Sequence, residues 1–135
     1  MIKYKNLKNP KTGAVASIPY TVAVDFDGTL VEDCYPNIGA PKKALISLLT
    51  ALRMSGVKVI LWTCRTGDEL KKAVEFCAEQ GLTFDAVNTN LPVVKNLYGY
   101  DTRKVFADLY LDDKGTADID GFMSKMLHLM FDYEE

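Results

Sequence analysis

The chain has 135 residues, of which 48% are hydrophobic and 25% are charged, and its formal net charge is -2. This length is typical of a single domain, and the composition excludes a disordered or fibrous protein. The small net charge provides no general field that would attract nucleic acid or an anionic membrane surface. We therefore expect one globular domain over residues 1–135.

Residues 1–18 predict an N-terminal β-hairpin, because the turn-rich stretch NPKTG separates two short strand-like runs. The almost unbroken apolar run YTVAVDF begins at Tyr20 and is typical of a strand that is covered on both faces. Pro41 stands where a first helical residue would, and leucines at helical spacing follow it until Gly56. A helix is therefore expected between these two residues.

A second strand is predicted over residues 57–63, VKVILWT, and a helix follows it up to Gly81. Thr66 and Glu69 have the spacing of a capping box at the start of that helix. FDAVN, over residues 84–88, is a short candidate strand, and the segment after it mixes turn and helix signals. The alternation of strand and helix thus continues past the middle of the chain.

A last strand is predicted by VFADLYLDD, over residues 105–113, which ends in two aspartates. The final segment predicts a helix that packs on the sheet through one apolar face. That face consists of Ile119, Phe122, Met123, Met126, Leu127 and Met130. We expect these methionines and Trp62 to fill the core, and the single histidine, His128, to have no catalytic role.

Strands that alternate with helices predict an α/β fold, a three-layer Rossmann-like sandwich with a mainly parallel sheet and helices on both faces. Ligands bind such sheets at the carboxyl ends of the strands. Polar residues collect at those ends, namely Asp25, Asp27, Thr63, Arg65, Asp112 and Asp113. The fold therefore predicts that these scattered residues form one site.

Four carboxylates at one sheet edge repel each other, so that either several are protonated or a cation lies among them. A cation is the simpler explanation, and ligands that are all oxygen favour Mg²⁺ held together with substrate phosphate. Phosphate would also account for the hydroxyl of Thr63, the backbone amides around Gly28 and Cys64, and the positive end of the following helix. Lys104 and Arg65 would neutralise the remaining charge.

Together these residues resemble the motifs of the haloacid dehalogenase superfamily, and specifically those of its magnesium-dependent phosphatases. DFDGT, over residues 25–29, matches the first motif, and ILWT matches the second at Thr63. A lysine ahead of the last strand and the paired acids of LYLDD, over residues 109–113, match the third and fourth. Any one motif is weak, whereas the series in this order, from about Tyr20 to Gly115, is specific.

The resemblance implies a two-step phosphoryl transfer. Asp25 would attack the phosphorus and become an aspartyl phosphate, and Asp27 would act first as an acid and then as a base. Magnesium would be held by a carboxylate oxygen of Asp25, the main-chain carbonyl of Asp27 and an acid of the fourth motif. We favour Asp113 over Asp112 for that last position.

Two features depart from most members of that superfamily. The lysine of the third motif is either Lys104, next to the last strand, or Lys95, and we favour Lys104. No cap domain fits between the first motif and Pro41, or between Gly81 and Lys104. The resemblance to capless members then implies a macromolecular substrate, such as a nucleic-acid end, or oligomerisation over the site, and the sequence leaves a small-molecule phosphate open as well.

Three functions are weighed on these grounds. The leading one is a phosphomonoester hydrolase, and the second is a regulatory module that binds magnesium and a phosphorylated ligand without turnover, for which Asp27 would be unnecessary. A phosphate-receiving domain of the response-regulator type ranks last, because its phosphorylated aspartate follows the third strand. Arg65 is expected to lie exposed in a turn, either as a substrate contact or solvated.

The cysteines and the N-terminal segment favour a cytoplasmic protein. Cys34, Cys64 and Cys77 contain no C-x-x-C pair, which favours neither a disulfide framework nor a zinc site, and Cys64 is expected to have no catalytic role. No signal sequence follows the N-terminal lysines, and no run of about 18 apolar residues occurs. We therefore expect no contact with a membrane.

Overall fold

The computed structural model describes residues 4–112, 121, 122 and 124. The strands are β1 (Tyr4–Lys8), β2 (Val15–Pro19), β3 (Thr21–Val24), β4 (Lys58–Leu61), β5 (Ala86–Val87) and β6 (Leu109–Leu111). The helices are α1 (Lys43–Met54), α2 (Gly67–Glu79) and α3 (Pro92–Tyr98). The segment that mixed turn and helix signals thus contains α3.

The four central strands form one parallel sheet in the order β5-β4-β3-β6. Val22 of β3 pairs with Val59 on one side and with Leu109 on the other, so that β3 lies inside the sheet. Strands β1 and β2 form a separate antiparallel hairpin. The predicted α/β class, the parallel sheet and the N-terminal hairpin are confirmed.

Both faces of the sheet are covered, which explains the unbroken apolar runs in its strands. Val22 and Val24 belong to a core cluster that includes Leu49 of α1 and residues of α2. Ala23 lies between them and points to the opposite face, where it joins a second cluster with Val94 of α3 and residues of the hairpin. The predicted three-layer arrangement is confirmed.

Local differences from the predicted elements have identifiable causes. Helix α1 begins at Lys43 rather than at Pro41, because Pro41 pairs with Val31 in an isolated bridge. Thr66 is the N-cap residue of α2, as predicted, but its side chain makes no capping hydrogen bond. The prediction of a capping box between Thr66 and Glu69 is therefore wrong.

The described part of the chain carries no cap domain at the two places considered. The segment between β3 and α1 contains only isolated bridges, and the segment between α2 and β6 contains only β5 and α3. Most of the predicted C-terminal helix, together with His128 and Asp113, lies outside the described residues. Phe122 is described and is buried in the cluster with α1, which agrees with the expected packing on the sheet. No helix within the described ranges is long and apolar enough to cross a membrane.

Candidate active site

A cavity of about 320 Å³ opens where β3, β4 and β6 end. Asp25, Thr63, Cys64 and Asp112 line it, and each lies within three residues of the end of a strand. Parallel neighbouring strands end at the same edge of a sheet, which explains how distant segments meet here. The structure thus brings four of the predicted site residues together.

Hydrogen bonds to main-chain groups hold Asp25 as the chain leaves β3. Its N–H donates to the carbonyl of Leu111 at 2.9 Å, and its Oδ1 accepts from the N–H of Phe26 at 2.7 Å. Asp112 follows directly after β6, which is the neighbour of β3. The two carboxylates therefore extend from adjacent strand ends.

Asn88 fixes the turn that follows β4. Its backbone lies in the left-handed region with φ 54°, and its Oδ1 accepts from the N–H of Thr63 at 2.7 Å. Its Nδ2 donates to the carbonyl of Arg65 at 3.4 Å, while the Thr63 hydroxyl accepts from the Arg65 N–H at 3.1 Å. The Thr63 hydroxyl keeps its own proton for donation, as a phosphate contact would require. Asn88 thereby places Thr63 and Cys64 at the cavity.

Arg65 is buried, with only 1% of its surface exposed. Its Nε and Nη2 donate to Oδ2 and Oδ1 of Asp27, both at 2.8 Å. This hydrogen-bonded carboxylate raises the pKa of the Arg65 guanidinium above its ordinary value, although burial opposes the rise. The expectation that Arg65 lies exposed in a turn is therefore wrong. Among the described residues that line the cavity, neither Arg65 nor Asp27 is found.

The same guanidinium holds the loop that follows the first motif. Nη1 donates to the carbonyl of Pro36 at 3.3 Å, and Nη2 donates to the carbonyl of Asn37 at 2.9 Å. The guanidinium carbon of Arg65 lies 4.9 Å from the ring centroid of Phe26 and 5.0 Å from that of Tyr35. Two aromatic rings thus add cation–π contacts to the hydrogen bonds. Arg65 connects the proposed acid–base residue to this loop.

Gly28 has φ 81°, a left-handed conformation that a residue with a side chain would adopt only with strain. Its N–H donates to the carbonyl of Val31 at 2.9 Å. The predicted contact between this amide and phosphate therefore competes with a hydrogen bond of the turn itself.

The two candidate lysines have different surroundings. Nζ of Lys104 lies 4.9 Å from the ring centroid of Tyr110, which lines the cavity. Lys95 lies in the last turn of α3 and adds to the lowering of the Asp101 pKa, which is caused mainly by hydrogen bonds from Asn90. Lys104 thus contacts a residue of the cavity wall. Its assignment to the third motif stays a prediction.

The predicted metal site falls partly outside the described residues. Asp25 and Asp112 supply carboxylate oxygens to one cavity, and such oxygens fit Mg²⁺. Over the ranges that the structure describes, no group of three or more His, Cys, Asp or Glu side chains could hold a metal ion. Asp113, the favoured acid, is not among these residues. The magnesium site therefore stays a prediction.

Two features of the site were not predicted from the sequence. Asn88 follows a short strand at the carboxyl edge of the sheet, and that position was the available signal. Trp62 was expected in the core, but it is half-buried and lines the cavity together with Tyr110.

Comparison with solved structures finds a conserved protein from Bacteroides thetaiotaomicron. The similarity has a TM-score of 0.68 and 36% sequence identity, and it covers 85% of this chain and 98% of that chain. No protein-family model matches the chain, and no curated protein matches it.

Proposed function

The chain belongs to the same family as this conserved Bacteroides thetaiotaomicron protein, and we propose that it is a magnesium-dependent phosphomonoester hydrolase with Asp25 as the nucleophile. One observation carries the proposal, namely that Asp25, Thr63 and Asp112 line a single cavity at the carboxyl edge of the sheet. The resemblance of the motifs to those of the haloacid dehalogenase phosphatases supports the same activity.

In this proposal, an oxygen of Asp25 forms a bond to phosphorus while the bond from phosphorus to the ester oxygen breaks. The Phe26 amide, which donates to Oδ1, fixes the orientation of the attacking carboxylate. Thr63 donates its hydroxyl proton to a phosphate oxygen, and Lys104 lies near enough to Tyr110 at the cavity wall to contribute positive charge. Water then hydrolyses the aspartyl phosphate and regenerates Asp25.

Magnesium would be held by Asp25, the main-chain carbonyl of Asp27 and an acid of the fourth motif, Asp113 in preference to Asp112. When bound, it offsets the repulsion between the anionic nucleophile and the anionic phosphate.

Asp27 is the proposed acid and base, and the ion pair with Arg65 sets a condition on that role. Both of its oxygens accept from the guanidinium, and Asp27 is not among the described residues that line the cavity. Asp27 therefore acts only after it has moved away from Arg65, and the loop that Arg65 also holds would have to move with this step.

The experiment is a phosphate-release assay with an aryl phosphate, in the presence of Mg²⁺ and again in excess EDTA. We expect release that depends on Mg²⁺ and falls to background for Asp25→Asn. Asp85→Asn is the control, because Asp85 pairs with Arg53 away from the cavity. Full activity of Asp25→Asn would refute the proposal.

A second candidate function is a module that binds Mg²⁺ and a phosphorylated ligand without turnover. The ion pair between Asp27 and Arg65 favours this module. The pair gives Asp27 a structural role, so that the presence of Asp27 no longer requires the protein to be an enzyme. Magnesium-dependent binding of phosphate esters, with no release of phosphate from any of them, would support this module instead.

We propose that this activity is cytoplasmic. Cys34, Cys64 and Cys77 are all free thiols, as expected for a reducing compartment.

A further inference from the structure

The cavity has an aromatic wall beside the proposed nucleophile. Trp62 and Tyr110, the two residues of this aromatic wall, line the cavity together with Asp25. Their ring centroids are 5.6 Å apart and their planes are inclined by 51°. A tilted pair at this distance forms one continuous surface, because no further ring fits between the two.

The position of the aromatic wall follows from the sheet. Tyr110 on β6 pairs with Ala23 on β3, and Trp62 directly follows β4, on the other side of β3. Ala23 also lines the cavity, and its small side chain leaves the space between the flanking strands open. The cavity therefore has an apolar wall and an apolar base next to a carboxylate edge.

The tyrosine ring is held in place. Its hydroxyl donates to the carbonyl of Val105 at 2.7 Å, and the ammonium of Lys104 lies 4.9 Å from its centroid. A ring that is already fixed loses little conformational entropy when a ligand packs against it.

The aromatic wall and the size of the cavity limit what the site accepts. Ligand pockets commonly have volumes of roughly 300–1,000 Å³ with mostly apolar linings and a few polar groups that orient the ligand. At about 320 Å³, this cavity accommodates a small ester with one ring system rather than a long or branched one. An aromatic surface beside carboxylates favours a flat, uncharged group as the neighbour of the phosphate.

We propose that Trp62 and Tyr110 stack a planar aromatic group of the substrate. The substrate is then a phosphate monoester with a ring close to the phosphate, the chemistry that nucleoside monophosphates and aryl phosphates share. The identity of the ligand as a phosphate ester rests on the proposed function, whereas stacking of a ring on the aromatic wall does not.

Trp62 is the single tryptophan of the chain, so its fluorescence reports on the aromatic wall directly. The titration uses Asp25→Asn protein with Mg²⁺, and it compares adenosine 5′-monophosphate with ribose 5-phosphate, which has a hydroxyl group in place of the base. A second comparison, of phenyl phosphate with methyl phosphate, separates aryl esters from nucleotides. We expect the ring-bearing ligand of at least one pair to quench the fluorescence. Its affinity should be at least roughly tenfold higher than that of the ringless ligand of the same pair.

Variants at the aromatic wall test the assignment by calorimetry. Trp62→Leu is expected to abolish the preference for the ring and to leave binding of the ringless ligand within about threefold, because phosphate contacts are retained. Trp62→Phe keeps a ring and is expected to keep most of the preference. Phe84→Leu is the matched control, because Phe84 packs against the cluster on the opposite face of the sheet.

Equal affinity within both ligand pairs, or an unchanged preference in Trp62→Leu, would overturn the proposal. Should Trp62→Leu not fold, Trp62→Phe and the comparison of ligands in the Asp25→Asn protein decide in its place. Ring-dependent binding without Asp25-dependent phosphate release would refute the hydrolase and leave the stacking site standing. Equal hydrolysis and equal binding of both members of each pair would leave the hydrolase standing and refute the stacking site.

Discussion

Arg65 and Asp27 form a two-point ion pair inside the protein, in which Nε and Nη2 each donate to a different carboxylate oxygen at 2.8 Å. The guanidinium is almost fully buried, whereas 17% of the Asp27 side chain is exposed. The pair connects the turn after β4 to the first motif, and further hydrogen bonds connect it to the loop that precedes α1. Asp27 therefore has a structural role whether or not it also takes part in catalysis.

Loss of the Arg65 guanidinium should destabilise the folded protein. Arg65→Met removes a guanidinium that is 1% exposed and donates five hydrogen bonds, and we expect it to lower the free energy of unfolding by about 3 kcal/mol. The measurement is chemical denaturation. Arg53→Met is the matched control. Arg53 makes an equally two-pronged contact with Asp85 but is 36% exposed, and Asp85 keeps the N–H of Val59 as a donor after the substitution, so that about 1 kcal/mol or less is expected. Equal losses in the two variants would contradict a special role for the buried pair.

Asn88 combines a strained backbone with two side-chain hydrogen bonds, and two substitutions separate these contributions. Asn88→Gly removes only the side chain, whereas Asn88→Ala also forces an alanine into the left-handed conformation at φ 54°. We expect Asn88→Ala to be the less stable by about 1 kcal/mol in thermal or chemical unfolding. Both should lose phosphate release to a similar extent, because the Thr63 amide loses its acceptor in each. Full activity in Asn88→Gly would show that the turn needs no such support.

The three cysteines should differ in reactivity. Cys34 and Cys64 are exposed, whereas burial raises the pKa of Cys77 to about 12 and keeps it a thiol at neutral pH. We expect an alkylating reagent to modify the first two in the native protein and Cys77 only after unfolding, as read by mass spectrometry. Because Cys64 lines the cavity, Mg²⁺ with inorganic phosphate should slow its labelling and leave Cys34 unaffected. Equal protection of the two would argue against a ligand in the cavity.

Stability in acid should depend on Asp101. Hydrogen bonds from the side chain and backbone of Asn90 and from the Thr89 hydroxyl lower the pKa of Asp101 below its ordinary value. Asp101 therefore stabilises the fold at pH values above its ordinary pKa, and this contribution is lost as the pH falls through the lower value of the folded state. Asp101→Asn should be less stable than the parent at neutral pH and converge with it in acid. Glu75→Gln, an exposed carboxylate of α2, is the control for a general effect of charge.

The fold and the polar members of the cavity could be predicted because they depend on repeating patterns. Each core strand is an apolar run covered on both faces, and each polar motif begins where such a run ends. Parallel strands then place Asp25, Thr63, Cys64 and Asp112 at one edge without any knowledge of the loops.

The position of Arg65 could not be predicted in this way. Two of its acceptors, the carbonyls of Pro36 and Asn37, belong to an irregular loop, and no residue pattern specifies where a main-chain carbonyl points. The role of Asn88 was not predicted for a related reason. Its side chain contacts the backbone of a neighbouring turn, and no sequence motif marks such a contact.

The most direct test of the proposed hydrolase is to trap the covalent intermediate. The parent protein is mixed with Mg²⁺ and an aryl phosphate, quenched in acid and reduced with borohydride, which converts an aspartyl phosphate to homoserine. Peptide mass spectrometry then locates the modified residue. The proposal predicts modification at Asp25 that is absent without Mg²⁺ and absent in Asp25→Asn. Phosphate release without any modification of Asp25, or with modification of another carboxylate, would contradict it.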